Sequence, residues 1–139
     1  MQIYLVKCYA DDLSLKKVWP EPNTEPEKKF SLDFSVEFPL EDNHVFSIAF
    51  NAILVHSQQY ELKIKYVATF KTSEPIDDAF KTSPLAQINA PAIAFPFLRA
   101  FVSTITINSG FEPSVLPSIN FINFKAKMEL EKGKIHYNI

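Results

Sequence analysis

Three histidines, His44, His56 and His136, and one cysteine, Cys8, are the side chains best able to bind a metal or attack a substrate. Metal sites gather such ligands at short, recurring spacings. None of these histidines has a second His or a Cys close by, so they read as strand-end or surface residues, with no metal expected. Cys8 lies in an alternating apolar stretch, where a small buried hydrophobe is the simpler role than a nucleophile. No Gly-x-Ser-x-Gly elbow is present, and with 2 Gly in the chain a glycine-rich phosphate loop cannot be built in the usual way. The acid pairs Asp11–Asp12 and Asp77–Asp78 fall in polar connectors and read as solvated loop charges, although spacing leaves open a dyad assembled in space. The expectation is a protein that is not an enzyme and uses no cofactor.

Composition narrows the class further. A chain of 139 residues fits one domain, 1–139, that buries roughly two thirds of its unfolded surface. Apolar residues at 47% and charged residues at 22% suit a globular fold. The unusual feature is 13 Phe and 10 Pro beside 2 Gly, a large aromatic payload on a backbone with few permissive hinges. A net charge of -2 gives no clustered basic face for nucleic acid. A lone cysteine forms no internal disulfide, and the start of the chain lacks the basic, apolar and small-residue succession of a secretory leader, so a cytoplasmic protein is expected. Pro91, Pro96 and Arg99 interrupt the best apolar run before it reaches the roughly 20 residues of a membrane span, so no membrane insertion is expected.

These residues must be positioned by a β-rich front half. Gln2–Tyr9 reads as an opening strand. Phe30, Leu32, Phe34, Val36 and Phe38 alternate with Ser31, Asp33, Ser35 and Glu37, the pattern of a strand with one wet face. Val45–His56 follows, partly covered on both faces, and after a short connection Tyr60–Phe70 alternates against Glu61, Lys63 and Lys65. Four strands in sequence imply a mostly antiparallel sheet. Between the first two, Asp11–Lys29, with Pro20, Pro22 and Pro26, is too long for a tight turn and reads as a crossover. Ser73–Pro84 reads as a connector. From Phe95 to Ser109 the apolar positions Phe97, Leu98, Phe101, Val102 and Ile105 follow helical spacing, yet the β-branched run Val102–Ile107 leaves helix and strand evenly matched. The tail from Phe121 carries the same conflict.

The stretch FPFLRAFVSTITINSGFEPSVLPSINF, Phe95–Phe121, resembles the best-marked region of the SecB family of export chaperones. The matching positions are Phe95, Pro96, Phe97, Arg99, Gly110, Phe111, Pro117, Asn120 and Phe121. The order of the upstream elements agrees as well. The resemblance implies an α+β fold: a four-stranded antiparallel sheet with a long helix and a C-terminal helix packed on one face. It favours helix for Phe95–Ser109 and for Asn120 to about Lys132. It also implies a homotetramer, a dimer of dimers joined through the first strand and the long helix, which points to Tyr4, Val6, Phe97, Phe101 and Ile105 as interface residues.

The function implied is an ATP-independent holdase for unfolded or partly folded polypeptides, linked to protein export. Such a protein needs exposed apolar grooves that accept many sequences, and aromatic and Met side chains supply adaptable area. Leu13, Leu15, Val18 and Trp19 in the crossover, with Ile122, Phe124 and Met128 from the tail helix, are the candidate client contacts; the alternative is that they are core or interface residues. Family members dock the SecA motor partly through acidic residues on the sheet, for which Asp33 and Glu37 are the candidates. Lys63 and Lys65 on the exposed face of the fourth strand depart from that pattern. A dedicated chaperone of an antitoxin, as in SecB-like proteins of toxin–antitoxin systems, is therefore a second reading. A small-ligand or catalytic β-sheet domain is a third, from another class.

Overall fold

The computed structural model describes all 139 residues. Five strands form one antiparallel sheet in the order β1-β4-β3-β2-β5: β1 Ile3–Lys17, β2 Lys28–Glu37, β3 Val45–His56, β4 Tyr60–Thr72 and β5 Ile135–Asn138. Alternation sends one set of side chains to a packed face. Phe30, Leu32 and Phe34 of β2, Phe46, Ile48 and Phe50 of β3, and Tyr60, Leu62 and Phe70 of β4 are all buried there. The opposite face is open to solvent and carries Asp33, Glu37, Lys63 and Lys65. Only small or central residues such as Ala49 and Val67 are shielded on it.

Helices α1 (Asp78–Lys81), α2 (Ala90–Asn108) and α3 (Phe121–Glu131) cover the packed face, with a π turn, Leu85–Asn89, leading into α2. One row across the sheet shows how they seat. Ala10, Tyr66, Phe50 and Phe34 lie side by side on β1, β4, β3 and β2. Phe101 of α2 sits 5.4 Å from Tyr66, Phe95 of α2 sits 6.0 Å from Phe50, and Phe124 of α3 stacks 6.0 Å from Phe34. Phe121 closes the cluster 5.5 Å from Phe95. Each such pair adds about 0.5–1.5 kcal/mol to the area term, so this aromatic cluster holds sheet, α2 and α3 together.

The structure corrects several sequence expectations. The sheet has five strands rather than four, because Ile135 and Tyr137 add a short strand to β2. Four residues are too few for their alternation to stand out. The first strand ends at Lys17, not Tyr9, and the crossover shrinks to Val18–Glu27. Two register shifts, between Leu5 and Lys7 and between Ala10 and Asp12, explain the miss. Each extra residue flips the parity of the strand beyond it, so the helix-side residues run Leu5, Cys8, Ala10, Leu13, Leu15 instead of alternating strictly.

The long helix begins at Ala90, and the stretch read as a connector holds α1, capped by the Asp77 carboxylate accepting from the Phe80 N–H at 2.8 Å. From Leu85 to Asn108 the helical segment counts 24 residues, and an 18-residue window within it has a mean hydropathy of 1.5, enough in length and composition to cross a membrane. Pro91, Pro96 and Arg99 do not interrupt it. Its Phe95, Leu98 and Val102 are buried in the core of the fold, and that burial overrides the β preference of the Val102–Ile107 run.

Candidate functional site

The loop between α2 and α3 is strapped along α2 and then reaches over the end of the sheet. Arg99 Nε donates to the Leu116 carbonyl at 3.2 Å, and Ser103 Oγ donates to the Ser114 carbonyl at 2.6 Å. Thr106, wholly buried, donates its hydroxyl to the Val102 carbonyl at 2.8 Å and accepts from the Ser114 N–H at 3.2 Å. Gly110, at φ +85°, makes the left-handed turn that ends the helix. Phe111 then falls onto Tyr60, ring centroids 5.0 Å apart.

Glu112 fixes this loop to the sheet. Its N–H donates to Gln59 Oε1 at 3.0 Å, and its carboxylate lies 3.4 Å from Lys28 Nζ and 3.6 Å from His56 Nε2. His56, expected at a surface or strand end, is a strand-end residue, and a buried one. Its Nδ1 accepts from the Gln58 N–H at 3.2 Å, which leaves the proton on Nε2 facing Glu112. The neighbouring Tyr60 hydroxyl bonds to Ser114 Oγ. Burial first, and the charge of Glu112 second, push the Tyr60 phenol above its usual range.

On the other side of this loop lies the crossover. The Val18 N–H donates to the Gln59 carbonyl at 2.9 Å, so β1 delivers Val18 and Trp19 beside the β3–β4 turn. Trp19 is 76% exposed, its ring held under Lys17 Nζ at 4.3 Å from the centroid. The cation contacts one face of the indole without covering the ring. A trough of about 570 Å³ runs between Trp19, Gln59 and Phe111. A second, of about 470 Å³, lies between Trp19 and the crossover residues Glu21–Glu27. Trp19 stands as the wall between them.

The predicted contacts fall into two groups. Leu13 and Leu15 lie on the helix-side face of β1, opposite Ile64 and Leu62, and with Val18 and Trp19 make the crossover group. Ile122, Phe124 and Met128 ride on α3 above β2, across the sheet from β1 with α2 between. Ile122 is 64% exposed and Met128 is half-buried, but Phe124, at 3% exposure, is a core residue. Asp33 and Glu37 are both on the open face and both engaged. Asn51 Nδ2 donates to Asp33 Oδ1 at 2.9 Å, and Lys65 Nζ lies 3.5 Å from Asp11 and 3.9 Å from Glu37. Of the residues placed at an assembly interface, Tyr4, Val6 and Phe97 are exposed, while Phe101 and Ile105 are half-buried.

Sequence reasoning missed Gln59, Phe111 and Glu112 as parts of the trough. Phe111 and Glu112 come directly after the positive-φ Gly110, where a helix ends and its chain doubles back, and that was the available signal. No group of three or more His, Cys, Asp or Glu side chains is disposed to hold a metal ion.

The family model for the preprotein translocase subunit SecB matches residues 1–130. The chain belongs to the SecB family. A protein-export protein SecB from Magnetococcus marinus is 26% identical over 125 residues, covering 85% of this chain and 78% of that one. The uncharacterized protein MJ0357 of Methanocaldococcus jannaschii is 44% identical over 57 residues, which span 40% of this chain and 37% of its own length. Among solved structures, the Mycobacterium tuberculosis SecB-like chaperone Rv1957, in complex with a peptide from the HigA1 antitoxin, superposes with a TM-score of 0.66. At 13% identity, covering 84% of this chain and 90% of that one, the match shows a shared fold. SecB membership makes this chain a chaperone of the protein-export class, a family that is not enzymatic.

Proposed function

We propose that this SecB-family chain is an ATP-independent holdase that binds unfolded or partly folded polypeptides in the cytoplasm, with its primary contact at the two troughs divided by Trp19. The observation that carries this reading is a tryptophan 76% exposed on a proline-braced segment, ringed by Val18, Pro20 and Phe111. A soluble chain gains nothing from leaving so large an apolar ring in water. A binding surface does, because aromatic anchors dominate contact energies. Leu13 and Leu15 extend the apolar track along β1, and Ile122 and Met128 offer a second, separate patch on α3. Phe124 supports that patch from below rather than meeting the client.

The same reading assembles the chain as a dimer of dimers. Tyr4 and Val6 lie along the unpaired outer edge of β1, and Phe97 lies on the outward side of α2, each about half exposed at 52%, 53% and 48%. Phe101 and Ile105 line the flank of the same helix. A homotetramer by light scattering is expected, and a strict monomer would remove this assembly.

The test of the holdase reading is aggregation of an unrelated denatured protein without nucleotide. Suppression at stoichiometric ratios is expected, with Trp19→Ala much weaker. An unchanged aggregation rate in the presence of the wild-type chain would sink it.

A second reading, a chaperone dedicated to one client such as an antitoxin, draws support from the open face. There Asp33 and Glu37, the acids proposed to dock SecA, are tied to Asn51 and Lys65. Pull-down from cell extract separates the two: many unfolded precursors favour the general holdase, and one recurring partner favours the dedicated chaperone. Loss of SecA binding on Asp33→Asn with Glu37→Gln would assign those acids to docking.

A further inference from the structure

β5 occupies an edge that the troughs do not use, and it lies beyond residue 130, where the match to the family model ends. Four backbone pairs, Leu32 with Ile135 through Lys29 with Asn138, seat it on β2. The Ile139 N–H adds a bond to the Lys28 carbonyl at 3.0 Å. No salt bridge and no side-chain hydrogen bond ties residues 135–139 to the rest of the fold. What β2 reads in this strand is therefore backbone plus two apolar side chains at alternate positions. Ile135 is fully buried, and Tyr137 stacks on Phe30 with centroids 5.9 Å apart and planes 24° apart. His136, which points the other way, and Asn138 are exposed.

That recognition is almost independent of sequence, which is what a protein binding many extended chains requires. Strand addition at a sheet edge works in this way: main-chain bonds give affinity, and pockets for every second side chain give a loose preference. The edge is also only partly used. β5 pairs with four of the ten residues of β2, and no strand lies outside Asp33–Glu37. On the open-face side the β2–β5 junction is imperfectly filled, with a recess of about 130 Å³ between Ser31, Ile53 and His136.

We propose that the outer edge of β2 is a second client site that takes an extended segment with apolar residues at alternate positions, and that β5 is the chain's own occupant of it. Loading displaces Ile135 and Tyr137 and puts two client side chains in their place, with pairing free to continue along Asp33–Glu37. α3 stays seated through Phe121 and Phe124, and the three residues Lys132–Lys134 act as the hinge. This inference rests on the holdase reading and adds to it the conformation of the client.

The test locks β5 in place. In a Cys8→Ser background, Ser31→Cys with His136→Cys places two thiols directly opposite across β2 and β5, with closure checked by thiol titration. The probe is fluorescently labelled, carboxymethylated α-lactalbumin, a permanently unfolded chain, and its Kd is read by anisotropy. The reduced variant is expected to bind like wild type, and the oxidised variant about tenfold more weakly, the scale of one or two net hydrogen bonds. Equal affinity in both redox states would overturn the inference and leave the Trp19 troughs intact as the client site. No binding by wild type at all would remove the holdase reading, and this inference with it. In the unmodified chain, hydrogen exchange at the Tyr137 and Ile139 amides, which face β2, should accelerate on adding the probe, and unchanged protection there also counts against displacement.

Discussion

Trp19 and Phe124 are two aromatic side chains of similar chemistry that the sequence places in one set, and the fold treats them in opposite ways. Trp19 stands on the crossover with most of its ring in water, while Phe124 is sealed between α3 and β2 against Phe34 and Phe121. The difference lies in what flanks them. Pro20 and Pro22 keep the segment after Trp19 from joining the sheet or a helix, and nothing packs over the indole except the Lys17 ammonium. Phe124 sits one helical turn after Phe121, on the face of α3 that meets the sheet, so the same payload becomes core. Aromatic richness is thus one resource with two uses, divided here by whether the local backbone can pack.

The largest effect that would sharpen this contrast is on the packed side. Phe124→Ala is expected to lower unfolding free energy by about 3–5 kcal/mol in urea titration, with client affinity per folded molecule unchanged. Trp19→Ala should do the reverse. It is expected to weaken client binding by about 2 kcal/mol or more, while its effect on stability stays within about 0.5 kcal/mol. If Trp19→Ala destabilises the fold as much as Phe124→Ala, the division fails.

Between these extremes is Glu112, which pins the trough wall to Lys28 and His56 through a half-exposed carboxylate. Glu112→Gln should cost about 1 kcal/mol or less in stability and loosen the wall, which iodide quenching of Trp19 can follow.

The smallest expected effect is on pH dependence. Burial first, and then Cys8 beside its hydroxyl, raise the Tyr66 phenol to about 12. Its folded value exceeds the unfolded one, so the contribution is fully present below about pH 10 and is lost as pH rises through the folded value. Stability should therefore decline between pH 10 and about 12, and Tyr66→Phe should flatten part of that slope in denaturant titrations.

The parts legible in the sequence were those set by one uninterrupted period. β2 alternates without a fault, β3 and β4 keep an apolar residue at every second position, and all three appear where they were expected. The Phe95–Phe121 segment was legible as a fold marker, and its residues do serve the fold: Phe95 and Phe121 bind α2 to α3, Arg99 ties down the loop after α2, and Gly110 turns the chain. What escaped was set by local exceptions. Two bulges hid the second half of β1, so Leu13 and Leu15 looked like crossover residues. Ile135 and Tyr137 gain their partners only through contacts about a hundred residues back in the chain. Trough residues such as Gln59 and Glu112 carry no period, because their role comes from bonds across the end of the sheet. Site prediction from composition therefore found the exposed indole but could not separate it from the buried ring.

The most direct test uses the fact that Trp19 is the sole tryptophan in the chain. Its emission can be recorded while a tryptophan-free unfolded polypeptide is titrated in without nucleotide. A saturable blue shift, with a midpoint that matches the dose suppressing client aggregation, is the expected result. Suppression of aggregation with no change in Trp19 emission would contradict the account, because clients would then be held somewhere other than the troughs that Trp19 divides.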